Sequence, residues 1–214
     1  MNLILVRHGE TDWNKEQRVM GPNPIPLNKT GREQAMKTAE WLSTLSFKVI
    51  YSSPYRRALE TAEIIAKKQK KISVIPTPEV REVGYGDWVE MTFEEIEEKY
   101  PKYFKHYREK PSTVEIPGGE KGMEIFSRVK FFLESLRQKH DGENVLVVSH
   151  ADVIKAMVVV FLNLPLDSLQ RVACDNGCIA ALQYGTNLGD RLTALNYFAP
   201  IDKIFRGVFD GIEK

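Results

Sequence analysis

The chain has little of what marks a secreted, membrane-bound or nucleic-acid-binding protein. Only two cysteines occur in 214 residues, Cys174 and Cys178, too few for a disulfide framework or a four-ligand zinc set. Their spacing suits one face of a strand and reads as a pair of inert core thiols. Neither sign of charge dominates, because 30 basic and 29 acidic residues leave a formal net charge of +1. There is no global basic field for nucleic acid or an anionic membrane, so any anion site must come from local placement of charge. No apolar run approaches the roughly 20 residues that span a bilayer. The N-terminal stretch lacks the basic segment, apolar core and cleavage site of a signal peptide, and the expectation is a reducing cytoplasm. Repeats, low-complexity tracts and Gly/Ser/Pro linkers are missing as well. So is the Gly-x-x-x-x-Gly-Lys-Ser/Thr run of a nucleotide-binding phosphate loop.

What is present is ordinary globular composition, 43% hydrophobic and 28% charged, enough for one domain over 1–214 with a substantial core. Short apolar runs at Leu3–Val6, Phe47–Tyr51, Ile72–Ile75 and Val145–Val148 predict strands buried on both faces, as in a parallel sheet. Helical patterns lie between them. Thr30-Gly31-Arg32-Glu33 reads as a capping box ahead of Ala35, Ala39, Leu42 and Leu45. Ser53-Pro54 reads as a cap and first-position proline ahead of Ala58, Ala62, Ile65 and Ala66. Thr92-Phe93-Glu94-Glu95 is another capping box, and its helix must stop before Pro101. A long helix after Pro117-Gly118-Gly119 carries Met123, Phe126, Val129, Leu133 and Leu136 in register. Ala151–Leu162 is apolar on most of its surface and predicts a buried helix. Cys178–Tyr184 and Arg191–Phe198 read as a closing pair of strands. The sum is an α/β fold, a three-layer α/β/α sandwich with a mostly parallel central sheet.

Open α/β sheets bind ligands beyond the carboxyl ends of their strands. Arg7-His8-Gly9-Glu10 follows the first strand, Ser149-His150-Ala151 follows Val145–Val148, and Ser52-Ser53-Pro54 with Arg56-Arg57 follows the second. Two of the four histidines and an arginine pair therefore converge on one sheet edge. His106 and His140 sit in polar surroundings and are expected to be solvated. Arg56 and Arg57 oppose the dipole in the first turn of a helix, a placement that an anion shared with backbone N–H groups would relieve. Periodicity leaves open which of the two points inward. Either histidine alone would read as structural; two at equivalent strand ends beside an arginine favour a functional site. A metal would need three or four ligands, and Arg7 opposes a divalent cation at His8, so no metal is expected.

Arg7-His8-Gly9-Glu10-Thr11-x-Trp13-Asn14 resembles the signature of the histidine phosphatase (phosphoglycerate mutase-like) superfamily. Gly21 to Gly31, with Pro26-Leu27 and Gln34-Ala35, resembles that family's phosphate-side loop and first helix. Ser52-Ser53-Pro54-Tyr55-Arg56-Arg57-Ala58-x-x-Thr61-Ala62 is similar to its second motif, and the resemblance selects Arg57 as the inward arginine. Arg81-Glu82-x-x-x-Gly86-x-Trp88-x-Glu90 resembles the acid-bearing segment. Val147-Val148-Ser149-His150 and Asp175-Asn176 match the late motifs. In this order the set covers residues 2 to about 197; the tail from Pro200 to Lys214 matches nothing.

The resemblance implies a phosphoglycerate mutase-like fold and a metal-independent hydrolase of small phosphomonoesters that needs no cofactor. His8 would take the phosphoryl group as a neutral nucleophile, with Arg7, Arg57 and His150 holding its oxygens. Asn14, Gly21 and the N–H groups near His8 and Ala151 would complete the cradle. Glu82 would protonate the leaving oxygen and then activate water. Ala151 stands where a glycine is common. The segment at about 88–120 reads as a cap-like helical insertion, with Tyr103, Phe104, Lys105, Tyr107 and Arg108 over the site.

Glu82-Val83-Gly84-Tyr85-Gly86 departs from the Glu-Arg-His-Tyr-Gly run of cofactor-dependent mutases. Their long basic insertion is missing, and Met20 stands where they commonly carry Thr. Gly86-Asp87-Trp88-Val89-Glu90 instead resembles the small-phosphatase branch, which includes phosphoserine and α-ribazole phosphatases. A phosphoglycerate mutase is the alternative, and a non-catalytic binder of phosphorylated metabolites a remoter one. A small phosphorylated metabolite is the expected partner. A homodimer fits the family's habit.

Overall fold

A computed structural model describes residues 1–69 and 72–198. Its centre is a six-stranded sheet in the order β3-β2-β4-β1-β5-β6. The strands are β1 (Asn2–Arg7), β2 (Val49–Ser52), β3 (Val74–Pro76), β4 (Asn144–Ser149), β5 (Ile179–Thr186) and β6 (Gly189–Tyr197). The pairs β3-β2, β2-β4 and β4-β1 are parallel, and β5 and β6 close the edge antiparallel. The helices are α1 (Asp12–Lys15), α2 (Lys29–Leu42), α3 (Arg56–Ala66), α4 (Phe93–Lys99), α5 (Pro101–Glu109), α6 (Gly122–Lys139) and α7 (Ala151–Phe161).

The continuous apolar runs of β1, β2 and β4 are explained by two cores, one on each face, whereas β3 lies at the sheet edge with Ile75 44% exposed, against the expectation of burial on both faces. Successive side chains of a strand point to opposite faces. Leu3 and Leu5 of β1 join Val145 and Val147 of β4 in a core that includes Phe126, Val129, Leu133, Val153 and Met157. Ile4 and Val6 join Leu146, Val148 and Ile50 against Ala39, Leu42, Ala58, Ala62 and Ile65. Burying both faces demands apolar residues at every position, and alternation disappears. Among the described residues no helix is long and apolar enough to cross a membrane.

Several local expectations move. The N-cap of α2 is Asn28, whose Oδ1 accepts from the Gly31 N–H at 2.8 Å, so Thr30 lies inside the helix. The N-cap of α3 is Tyr55, two residues past Ser53, whose hydroxyl meets His150 Nε2 at 2.7 Å and accepts from the Tyr55 N–H at 3.3 Å. In α6 the buried face runs through Ile125, Phe126, Val129, Phe132, Leu133 and Leu136; Met123, one residue into the helix, is 51% exposed. Cys174 and Cys178 lie in the loop before β5 rather than on a strand, both buried, with Sγ atoms 3.5 Å apart. His140 is not solvated, since it bridges the Tyr51 hydroxyl (3.0 Å) and Glu143 (2.8 Å). His106 is half-buried and meets the Thr113 hydroxyl at 2.9 Å. The capping box at Thr92 is present, and Pro101 opens α5 where α4 has ended. The tail beyond Phe198 lies outside the described residues.

Candidate active site

Three parallel strand ends build the site. The register pairs Arg7 with Ser149, so β1 and β4 stop side by side. The His8 N–H donates to the Ser149 carbonyl at 3.0 Å, and the His8 and His150 rings meet edge to face with centroids 5.1 Å apart. Beyond β2, the Ser53 N–H donates to the Val148 carbonyl at 2.9 Å, which brings Ser53 Oγ 2.7 Å from His150 Nε2.

Nδ1 of His8 lies 2.8 Å from the Gly9 carbonyl. A carbonyl only accepts, so Nδ1 carries the hydrogen and Nε2 keeps its lone pair. Burial, then the charges of Arg57 and Arg7, push the His8 pKa well below 6.5. The ring is therefore a neutral base at physiological pH. His150 is driven the same way by burial and Arg57.

The two-way choice between arginines is decided by packing. Arg56 is exposed, whereas Arg57 is fully buried. Arg57 donates from Nη2 to the Gly21 carbonyl at 3.1 Å, and its guanidinium lies 5.4 Å from the Tyr55 ring centroid. Burial lowers its pKa to about 10, which leaves it charged at pH 7. Arg7 donates from Nη1 to the Cys174 carbonyl at 2.7 Å.

Six buried side-chain nitrogens among the described residues have no hydrogen-bond partner, and four of them are Arg7 Nε, Arg57 Nε, Arg57 Nη1 and His150 Nδ1. Buried donors are rarely left unpaired. Arg7, Arg57, His8 and Glu82 share a cavity of about 510 Å³. Its chemistry is that of an anion cradle beside a nucleophilic imidazole.

Glu82 faces this group from the loop after β3. Its Oε1 accepts from the Val83 N–H at 2.9 Å, and Oε2 is 3.6 Å from His150 Nδ1. Burial and the Asp152 charge raise its pKa, Arg57 pulls against them, and the result is about 7. Asn14 and Ala151 also line the cavity. Asn14 Oδ1 accepts from the Thr11 N–H and from Asn176 Nδ2, both at 3.0 Å, so its own amide hydrogens remain to face a ligand. Ala151 is the first residue of α7, where the N–H has no intrahelical acceptor. Gly21 is not among the lining residues; its carbonyl holds Arg57 instead. The N–H groups of His8 and Gly9 are likewise occupied, by Ser149 O and Thr61 Oγ1 (3.1 Å).

A sequence profile of the Histidine phosphatase superfamily (branch 1) matches residues 3–196. The chain belongs to that superfamily. Among curated relatives of this histidine phosphatase, Phosphoserine phosphatase 1 of Hydrogenobacter thermophilus is 38% identical over 182 residues, 85% of this chain and 86% of that one. Phosphoglycerate mutase-like protein 4 of Arabidopsis thaliana is 36% identical over 157 residues, 72% and 68% of the two chains. The crystal structure of a putative alpha-ribazole-5'-P phosphatase from Escherichia coli superposes with a TM-score of 0.84 at 27% identity, covering 95% of this chain and 99% of that one.

Two supports of the histidine phosphatase site escape the sequence reading. Asp152 is buried in α7, and its Oδ2 accepts from the Tyr85 hydroxyl (3.0 Å) and the Tyr107 hydroxyl. Its other oxygen meets Lys155 Nζ at 3.2 Å. Burial alone would raise the Asp152 carboxyl; Lys155 and the two phenols outweigh it and hold it below its usual range. Two charges three residues apart in an otherwise apolar helix were the available signal. The second support is Glu120, clamped by Arg128 through Nε (2.6 Å) and Nη2 (3.0 Å) while accepting the Gly84 N–H at 3.2 Å. This clamp fixes the loop that carries Glu82, and nothing in the local sequence marks it.

Proposed function

We propose that the protein hydrolyses small phosphomonoesters through a phosphohistidine on His8, with Glu82 as the proton donor and no metal ion in the reaction. The observation that carries this reading is the set of four unpartnered buried nitrogens on Arg7, Arg57 and His150 beside a neutral His8. A phosphoryl group seated there accepts from each of them. Two fixed guanidinium charges supply the positive field that divalent cations supply in other phosphoryl-transfer sites.

His8 Nε2 attacks phosphorus, the bond to the ester oxygen breaks, and Glu82 gives that oxygen its proton. With Ser53 donating to Nε2 of His150, the Nδ1 hydrogen of His150 is free for a phosphoryl oxygen. Ionised Glu82 then takes a proton from water as it attacks the phosphohistidine. Within the segment 88–120, Phe93, Phe104, Tyr107 and Arg108 line the cavity, and we assign that segment as the cap that shapes the alcohol side. Two adjacent free thiols suit a reducing compartment, and a cytoplasmic location belongs to this reading.

The test is phosphate release in EDTA from phosphoserine, 3-phosphoglycerate, α-ribazole phosphate and an aryl phosphate, for wild type and His8→Ala. EDTA-resistant release that vanishes in the variant, with an acid-labile phosphoryl label on wild type alone, supports the mechanism. Transfer of the label to 3-phosphoglycerate instead of water would replace it with the mutase reading.

A further inference from the structure

Past the phosphoryl cradle the cavity is lined by Tyr107, Arg108, Lys155, Gln170 and Val172, none of which the proposed chemistry uses. Asp152 is saturated there by its two phenols and Lys155. Lys155 Nζ also reaches Gln170 Oε1 at 3.5 Å. An ammonium has only donors, so it orients the amide with its oxygen inward and Nε2 away. Nε2 of Gln170 is buried and makes no hydrogen bond of normal geometry, although the amide is near enough to the Tyr107 hydroxyl to act on it. With two of its three N–H groups engaged, Lys155 has one left. The wall thus holds two unspent donors, and exposed Arg108 stacks on Phe104 at 5.8 Å from the ring centroid.

This wall adjoins the leaving-group side. Asp152 stands two residues after His150, and its charge is felt by Glu82, the residue given the task of protonating the departing oxygen. The free amide N–H of Gln170 and the free ammonium N–H of Lys155 belong to one cavity wall, and they are the donors that a carboxylate's two oxygens accept. Resting on the phosphatase reading, we propose that Lys155 and Gln170 form a subsite for a carboxylate on the alcohol half of the substrate. The preferred substrates are then phosphomonoesters of short hydroxy acids or hydroxyamino acids.

Phosphoserine and phosphoethanolamine test this, because they differ only in the carboxylate. Wild type is expected to prefer phosphoserine in kcat/KM by about tenfold or more, the worth of a charge-assisted hydrogen bond. Gln170→Leu and Lys155→Met should bring the ratio towards one, mainly through the KM for phosphoserine. Gln170→Glu keeps the shape and a partner for Lys155 while opposing the carboxylate, and should lower the ratio further. A wild-type ratio near one, or a ratio untouched by Gln170→Glu, would overturn the subsite. Calorimetric binding of both esters to His8→Ala reads the same preference without turnover. Failure of wild type to hydrolyse either ester therefore counts against the phosphatase reading, and equal binding counts against the subsite.

Discussion

Burial shifts the two groups proposed to carry the reaction, His8 and Glu82, in opposite directions. His8 is held neutral by burial and by Arg57 and Arg7, while Glu82 is lifted to about 7 by burial and Asp152. An imidazole must be neutral to attack and a carboxyl protonated to donate, so both are ready together between the lowered His8 pKa and about 7. Turnover of alkyl phosphates is expected to fall on the alkaline side of that window as Glu82 ionises. Glu82→Gln should remove that limb and cost roughly 10²–10⁴ in kcat, less for an aryl ester whose leaving oxygen needs no proton. A pH-rate profile with both ester types checks it. The same shift acts on stability. A carboxyl whose folded pKa is raised favours the folded state while protonated, and that contribution fades as pH rises from about 4.5 through about 7. Its full size is about 3 kcal/mol. Glu82→Gln should gain stability relative to wild type between pH 5 and pH 8 in urea unfolding.

At the level of elements, the Glu82 loop and the turn after β1 are held by contacts that local preference does not encode. Removing the Glu120 carboxylate leaves Arg128 half-paired in a largely buried setting and frees the Gly84 N–H. Glu120→Ala is expected to cost about 3 kcal/mol and to lower kcat for alkyl esters more than for aryl esters, because Glu82 loses its aim. Gly31 lies within α2, where alanine would gain about 1 kcal/mol on helix propensity alone. A Cβ there would sit 2.1 Å from the Glu10 carbonyl oxygen, and one at Gly9 would sit 2.3 Å from the Gly31 oxygen. Backbone meets backbone at this crossing and neither side can yield without moving His8. Gly31→Ala should therefore lower Tm despite its propensity, with activity falling alongside; a melting curve and an aryl phosphate assay decide it.

Taken whole, the molecule spends its sheet on one convergence. Parallel β1, β4 and β2 end together, which gathers Arg7, Arg57 and His150, the bearers of four unpaired buried nitrogens, around His8. A ligand that satisfies them binds only the folded state. Orthovanadate at 100 times its Kd is expected to stabilise the protein by about 2.7 kcal/mol, read as a rise in Tm that Arg57→Leu largely removes. The sequence by itself determined the order of strands and helices, because apolar runs long enough to bury two faces and helix signals such as Thr92 are local. It also put His8 and His150 at the ends of two strands, whereas Glu82 stood out only through the family resemblance. Packing puts Arg57 inside and Arg56 outside, as the family resemblance but not the periodicity implied, and tertiary structure alone decided that Ser53 reaches His150 and that Gly21 holds an arginine instead of a ligand. It alone joined Asp152 to Tyr85 and Tyr107, and Glu120 to Arg128 and Gly84. These choices depend on partners distant in the chain, whose meeting is set by sheet register and by the cost of leaving a buried charge or N–H unpaired.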